Sequence, residues 1–415
     1  MSMFIHRTGT AHAYGNALRN IGQRQSDLNN LQANLTSGKK IIRTSDDPTS
    51  AANAERARMR ISRTATDMRM LETQRNAIAT AESTLGDITD SLQRFRELVV
   101  NAGNGINRDT ERQFIINELQ GLRDHIFSMA NTKDTNGMPL FSSLGSALAP
   151  FVGPLPTAQD YQFNGLPGQT ASTDVSIPYT LDGDGAFMFD HDIDIAYNVE
   201  MGDRLTPLIA STVSLADASK LTQASYTISD ISLGPGSVAD SQRATYTLTE
   251  TLPDGTESTN IATGPDFPTT SNNIPITFGG LTMTLTGTPS ATDTMTVEPV
   301  VSIFSVLDRA IQDLALAPNN NNANLAVAQT LQNIDIGMGR VSAVRGQAGE
   351  LLSRADRITT NQGKRTEQLE ADKSRAEDLD MIQGISDFNN KQTGYQAALQ
   401  SYAKVQQLSL FEYMR

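Results

Sequence analysis

The 415 residues contain no cysteine and no tryptophan, are 38% hydrophobic and only 6% aromatic, and carry a formal net charge of −13. Without cysteine, disulfides, thiolate metal sites and cysteine nucleophiles are excluded, and so thin an apolar supply favours an elongated chain over one large globule. The negative charge argues against a nucleic-acid partner, whose phosphates need clustered Lys and Arg, and no apolar run approaches the ~20 residues that span a bilayer, so no membrane partner is expected.

The first predicted helix carries Tyr14, Leu18, Ile21, Leu28 and Leu35 in one heptad frame, interrupted by Gln25 and Gln32. Met1 to Gly15 hold no apolar run long enough for a signal-peptide core, so no Sec-type signal is expected. Asp47 before Pro48 supplies a capping oxygen ahead of a residue suited to the first helical position, so a second helix should start there and run to about Asn101. Its stripe is regular: Ile78, Ala81, Leu85, Ile88, Leu92, Phe95 and Val99 follow steps of three and four. Gly103 and Gly105 end it, Asn107 or Asp109 can cap the next helix, and Ile115, Leu119, Leu122, Ile126 and Met129 mark that helix's buried face.

From Phe141 to Val300 the material changes. Eighteen Asp or Glu stand against Arg204, Lys220 and Arg243 alone, and Thr, Ser, Gly and Pro abound. Tyr246 and Leu248 alternate with threonines, Leu281, Met283 and Leu285 repeat the pattern, and Pro253, Asp254 and Gly255 form a turn signal, all of which predicts a β-rich insert with hairpins. Helical periodicity then resumes in Val327, Leu331, Ile334, Met338, Val341, Ala348 and Leu352, with Arg345 in the empty slot. A last stripe comprises Ile382, Ile385, Phe388, Tyr395, Leu399, Tyr402, Val405 and Leu408. The two outermost stripes are narrow, and ordering them is expected to require packing against further copies of the chain.

Enzyme signatures are missing. His6, His12, His125 and His191 have no metal spacing, no phosphate loop or nucleophile elbow occurs, and nothing selects a pair of carboxylates for glycoside hydrolysis, so neither catalysis nor a cofactor is expected. Asp182, Asp184, Asp190, Asp192 and Asp194 could suggest calcium, but Ala186 breaks the EF-hand spacing. The last three, alternating along a strand, read better as a solvated acidic face.

The stretch from Leu35 through Gly38, Arg43, Ser45, Asp46 and Asp47 to Pro48 resembles the N-terminal signature of the flagellin superfamily. Flagellins usually carry a lysine, two aspartates and alanine where this chain has Ser45-Asp46-Asp47-Pro48, a form similar to that of the superfamily's hook-filament junction members. Ala130-Asn131-Thr132 with Asp134, Asn136, Gly137 and Phe141 resembles the point where the family leaves its helical core, although the usual aromatic-glycine pair is replaced by Pro139-Leu140-Phe141-Ser142. Ala397 to Tyr402 with Leu408-Ser409-Leu410-Phe411 resembles the family's terminal polymerisation segment.

The fold so implied is mainly α with a β-rich insert, an elongated flagellin-like helical bundle from both chain ends carrying an outer β domain. A terminal coiled-coil polymerisation domain would span 1–45 and 380–415, a helical rod 46–141 and 301–379, and a variable outer domain 142–300. The resemblance implies a structural role in the flagellum, in a ring of copies contacting the first hook-associated junction protein and flagellin. Subunit contacts would come from Tyr14, Leu18, Ile21, Leu28, Leu35, Arg43, Asp46, Asp47, Pro48, Ile385, Phe388, Tyr395, Leu399, Tyr402, Val405, Leu408, Leu410 and Phe411. It also implies secretion to the cell exterior through the flagellar type III apparatus without a cleaved signal, and an export chaperone shielding Leu399, Tyr402 and Leu408 before secretion. The rival readings are a flagellin that forms the filament itself, and a secreted adhesin or glycan-binding module whose function lies in the insert.

Overall fold

The computed structural model describes residues 10–103, 109–154, 160–190, 193–202, 208–290, 292–316 and 320–413. In chain order it comprises α1 (Thr10–Ser37), α2 (Pro48–Ala102), α3 (Asp109–Ala130), β1 (Phe151–Val152), β2 (Gln162–Phe163), α4 (Gly183–Phe187), β3 (Tyr197–Met201), β4 (Ile209–Ala210), β5 (Ser214–Leu215), β6 (Ser225–Pro235), β7 (Ser241–Thr251), β8 (Glu257–Thr263), β9 (Phe267–Pro268), β10 (Asn273–Phe278), β11 (Leu281–Thr286), β12 (Met295–Pro299), α5 (Ile303–Leu316), α6 (Asn320–Glu377) and α7 (Met381–Tyr413). Two compact units divide the chain: residues 1–69 with 359–415, and residues 70–358.

In the 70–358 unit the three-four stripe of α2 is the core. Ile78, Ala81, Leu85, Ile88, Leu92, Phe95 and Val99 are all fully buried, packed in one cluster with Ile334, Val341 and Ala348 of α6, Leu119 and Ile126 of α3, and Phe304 and Leu307 of α5. Two ion pairs fix the antiparallel sense of α2 and α6, since Arg345 meets Glu82 at 2.8 Å and Arg96 meets Asp335 at 3.0 Å. Arg345, the charged residue in the apolar frame, therefore swings to the surface beside Gly86. At Gly103 a Cβ would lie 2.5 Å from Val327, so only glycine lets the end of α2 approach α6 this closely. Asn107, a candidate cap for α3, lies outside the described residues.

Part of the insert packs with the helices. Phe304 of α5 stands at ring-centroid distances of 5.3 Å from Phe127, 5.4 Å from Phe151, 5.3 Å from Tyr161 and 5.6 Å from Phe187, an aromatic knot joining three helices to the loops between residues 141 and 189. The loop leaving α3 is shaped by Asn131, whose amide exchanges hydrogen bonds with both backbone groups of Phe151. Asp134 accepts from the backbone N–H groups of Asn136 and Met138, while Gly137 takes a positive φ of 81°.

From Tyr197 to Pro299 a second core forms between two antiparallel sheets, one ordered β3-β12-β6-β7-β8 with β9 also on β7, the other β10-β11-β4 with β5 also on β11. The alternation foreseen on β7 and β11 holds: Tyr246 is buried and Leu248 half-buried, while Leu281, Met283 and Leu285 are all buried. Pro253, Asp254 and Gly255 make the β7–β8 turn, closed by Asp254 accepting from Thr256 N–H at 2.8 Å with Gly255 at φ 83°. Side-chain amides of α6 satisfy the edge strand β3, Gln329 donating to the Val199 carbonyl at 3.2 Å and Asn333 to that of Tyr197 at 3.1 Å.

The acidic run departs from expectation. Asp190 and Asp194 do not lie on a strand: the N–H groups of Ile193 and Asp194 both donate to the Asp190 carbonyl. Asp194 is a largely buried partner of Arg340 at 2.7 Å instead of part of a solvated face, and burial beside Asp182 raises the Asp184 carboxyl above its ordinary range. Asp192 lies outside the described residues, and among the described residues no three His, Asp or Glu side chains group as a metal site.

Because Phe304 holds four rings together, Phe304→Ala should cost about 3–5 kcal/mol in denaturant unfolding. A loss under about 1 kcal/mol would show that the knot collapses around the cavity.

Candidate assembly interface

In the unit formed by 1–69 and 359–415, α1 and α7 run antiparallel. Tyr14 meets Tyr402 edge to face at 5.7 Å, Asp27 lies 3.7 Å from Lys391, and Leu35 approaches Gly384 so closely that a Cβ there would sit 3.1 Å from its methyl. The two outermost stripes thus find each other within one chain. Heptad positions Tyr14, Ile21, Leu28 and Leu35 are half-buried against a seam of Gly384, Phe388, Tyr395, Ala398 and Tyr402.

A two-helix hairpin has only one interface, and the last stripe is wider than that interface. Its single apolar face therefore splits. Ile382, Ile385 and Leu399 turn outward at 85%, 49% and 41% exposure, and Leu18 of α1 does likewise at 58%. Small residues, Gly384 and Ala398, occupy the seam positions that a count of large apolar residues assigns to these side chains. The side chains of Val405, Leu408, Leu410 and Phe411 lie outside the described residues.

The signature segment between α1 and α2 is a tight connector. Gly38, at φ 69°, ends α1, and its carbonyl accepts from Leu379 N–H at 3.0 Å. Asp46 closes the next turn, its carboxylate accepting from Arg43 N–H at 2.9 Å and Ile42 N–H at 3.3 Å, which leaves the Arg43 side chain exposed. Asp47 accepts from Thr49 and Ser50 N–H, both at 3.1 Å, and Pro48 is the first residue of α2, as the cap signal predicts. The hydrogen bonds to Ser50 hold the Asp47 carboxyl below its ordinary value.

Across from this connector, Asp380 caps α7 by accepting from Ile382 and Gln383 N–H at 3.0 and 3.2 Å. Glu377, nearly buried at the end of α6, joins the two connectors: it pairs with Lys39 and takes two hydrogen bonds from Arg58 at 2.6 and 2.7 Å, while its carbonyl accepts from Lys40 N–H at 2.7 Å. Contact with Lys39, then with Arg58, lowers the Glu377 carboxyl against the opposing effect of burial. Asp380 was findable as a cap followed by Gln383. Glu377 was not, because its partner Arg58 is 319 residues away.

The depressed Glu377 carboxyl fixes a sign. Its stabilisation is complete above the unfolded carboxylate pKa and is lost as pH falls through the lower folded value. Glu377→Gln should therefore destabilise this unit by about 1.5–3 kcal/mol at neutral pH, and by progressively less under acid. Urea unfolding of both proteins from pH 7 to pH 3 measures it, and two curves that stay parallel throughout would refute the linkage.

A model of the bacterial flagellin N-terminal helical region matches residues 9–145, and one of the flagellin C-terminal helical region matches residues 331–414. Flagellar hook-associated protein 3 of Escherichia coli is 30% identical over 153 residues, covering 35% of this chain and 46% of that protein. The Salmonella typhimurium protein of the same name is 32% identical over 148 residues, with the same coverage of each chain. The chain therefore spans about half the length of the curated relatives it matches. Among solved structures, flagellar hook-associated protein-3 from Legionella pneumophila shares the fold at TM-score 0.58 and 23% identity, over 76% of this chain and 97% of that one. With the two matched regions lying at opposite ends and together making up more than half of its residues, the chain belongs to the bacterial flagellin family.

Proposed function

We propose that the chain is a structural, non-catalytic component of the bacterial flagellum, forming a ring of copies at the junction between hook and filament. The observation that carries this reading is the apolar flank of the α1–α7 hairpin, formed by Leu18, Ile382, Ile385 and Leu399. A hairpin with one interface cannot cover a second face, and copies side by side can. Burial contributes about 25 cal/mol per Å² and must outweigh the cost of ordering side chains and helix ends, so an extended ring suits the task better than a single pairwise contact. The names of the curated relatives and the Ser45-Asp46-Asp47-Pro48 connector favour the junction over the filament itself.

In this reading the first hook-associated protein lies on one side of the ring and flagellin on the other. The chain leaves the cell through the flagellar export apparatus, and a chaperone covers the α7 face around Leu399, Tyr402 and Leu408 until then. The seam residues Tyr14, Ile21, Leu28, Leu35, Phe388, Tyr395 and Tyr402 shape the hairpin. Val405, Leu408, Leu410 and Phe411 extend the contact, and Arg43, Asp46, Asp47 and Pro48 set the connector that orients it. The terminal segments 1–45 and 380–415 polymerise, 46–141 with 301–379 forms the rod, and 142–300 faces outward.

Deleting the gene should leave hooks intact while flagellin is shed into the medium. Normal, retained filaments would overturn the junction role, and long filaments grown from the purified chain alone would favour a flagellin instead. Leu18→Asp with Leu399→Asp, at positions already exposed, should leave helix content unchanged by circular dichroism yet abolish incorporation into flagella. Removal of residues 385–415 should have the same effect on incorporation.

A further inference from the structure

Exposed sheet edges attract other strands, and the edges of the β core carry devices against that, with one exception. Amides of α6 cover the carbonyls of β3. On β10, Pro275 has no N–H to offer, and the Tyr246 hydroxyl donates to the Thr277 carbonyl at 2.5 Å while accepting from the Thr277 N–H at 3.1 Å. The far end of β6, beyond its pairing with β12, is turned by a bulge between Ser229 and Ser232 and closed by Pro235. Strands β4, β5 and β9 are only two residues long. The exception is β8, seven residues in unbroken register with β7, without proline, lysine or arginine, and exposed at every position but Ala262. On it Ile261 stands 80% exposed.

The ladder with β7 fixes which backbone groups of β8 face outward. Leu252 N–H donates to the Thr256 carbonyl at 2.9 Å and Gly264 N–H to that of Ala244 at 2.8 Å, so even-numbered residues of β8 bond to β7 and odd-numbered ones turn away. The N–H and carbonyl groups of Glu257, Thr259, Ile261 and Thr263 therefore form a row along the open edge, with no hydrogen bond to them among the described residues. Because β8 is exposed on both faces, a strand laid beside it must also tolerate water on both. A flexible peptide would have to lose its conformational freedom to pair there, whereas a strand already held in a sheet has lost it. These demands are met by β8 itself.

We propose that the open edge of β8 pairs antiparallel with β8 of a second copy, about a two-fold axis through Asn260. In this register Thr259 stands opposite Ile261 and Glu257 opposite Thr263, so all four outward residues of each strand find partners, whereas a shift by two leaves one of them unpaired. The two Asn260 carboxamides meet on the axis, each able to donate and accept, with only Ser258 and Ala262 beside them on that face. Thr259 and Ile261 become β-branched cross-strand neighbours, which covers the apolar side chain that water surrounds in the single chain. Charge selects the same arrangement. The acidic end of the strand, Asp254 and Glu257, comes to the end of its partner nearest Arg243, one of three cations between residues 141 and 300, while a parallel pairing would set Glu257 beside Glu257. A two-fold turns one copy end for end against the other, so this contact is separate from the packing of hairpin flanks and joins copies that are not neighbours in one ring. One strand pair of this length falls short of the roughly 1,000 Å² of a lasting interface, so the dimer forms and separates with concentration.

The absence of native cysteine gives a direct test with the purified full-length chain. Opposed residues of a non-hydrogen-bonded pair lie at disulfide distance, so under mild oxidation Asn260→Cys should form dimers about tenfold faster than Ser258→Cys or Ala262→Cys alone. An equal mixture of those last two should regain the fast rate, since Ser258 of one copy stands opposite Ala262 of the other. In sedimentation the wild-type chain should move from monomer toward dimer as concentration rises. Ile261→Lys, which charges the open edge and leaves the β7 ladder alone, should abolish that shift, and Thr259→Pro, which removes an outward N–H, should do the same. Equal rates for the three cysteine variants, or sedimentation that Ile261→Lys leaves unchanged, overturns the proposal. So does protection of residues 257–263 from hydrogen exchange in the dilute chain, which would mean that another segment of the same chain covers the edge. Protection that appears only when flagellin is added would assign the edge to that protein and overturn the pairing of copies.

Discussion

Everything in this chain depends on two distant segments meeting in antiparallel register. The stripe of α2 buries seven consecutive three-four positions against partners supplied by α6 from beyond residue 320 and by the shorter helices α3 and α5. No local interaction could hold a helix of this composition, because its outward face is polar and its stability comes from the packed stripe. The ion pairs Arg345–Glu82 and Arg96–Asp335 contribute little energy at the surface, but they disfavour a slip by one turn. With α2 and α6 aligned, the insert between them is closed at both ends.

The same logic accounts for Glu377. It ties the end of α6 to Lys39 of the first connector and to Arg58 of α2, and its near-burial makes those contacts stronger than an exposed pair would be. Asp46 and Asp47 act locally, closing one turn and starting one helix. The signature segment therefore reads as a geometric part, fixing how the chain turns from α1 into α2, rather than as a site with chemistry of its own.

Much of this was legible because burial imposes a period on sequence. Ile78 to Val99 announced a helix and its inner face, Asp47-Pro48 announced where it began, and Leu281, Met283 and Leu285 announced a strand with one dry side. What could not be read has physical reasons. The sheet order places β12 between β3 and β6, a long-range choice that alternation does not encode. The spacing of Asp190 and Asp194 fitted a strand, but not their hydrogen bonds to each other or the approach of Arg340 from 146 residues away. In α7 the seam runs through Gly384 and Ala398, so large apolar residues such as Ile385 and Leu399 marked the outward flank as readily as the inward one.

The β core enters and leaves through neighbouring strands. Tyr197 at the start of β3 stands opposite Pro299 at the end of β12, and Val300 N–H donates to the Ala196 carbonyl at 2.9 Å just outside them. About a hundred residues thus enter and leave by two paired strands, and Gln329 and Asn333 of α6 hold the first of these from the side. Loops within such a cassette, away from β3 and β12, can lengthen or shrink without moving the two feet from which it springs. The closure of the helices is thereby separated from whatever length the hairpins between those feet happen to have.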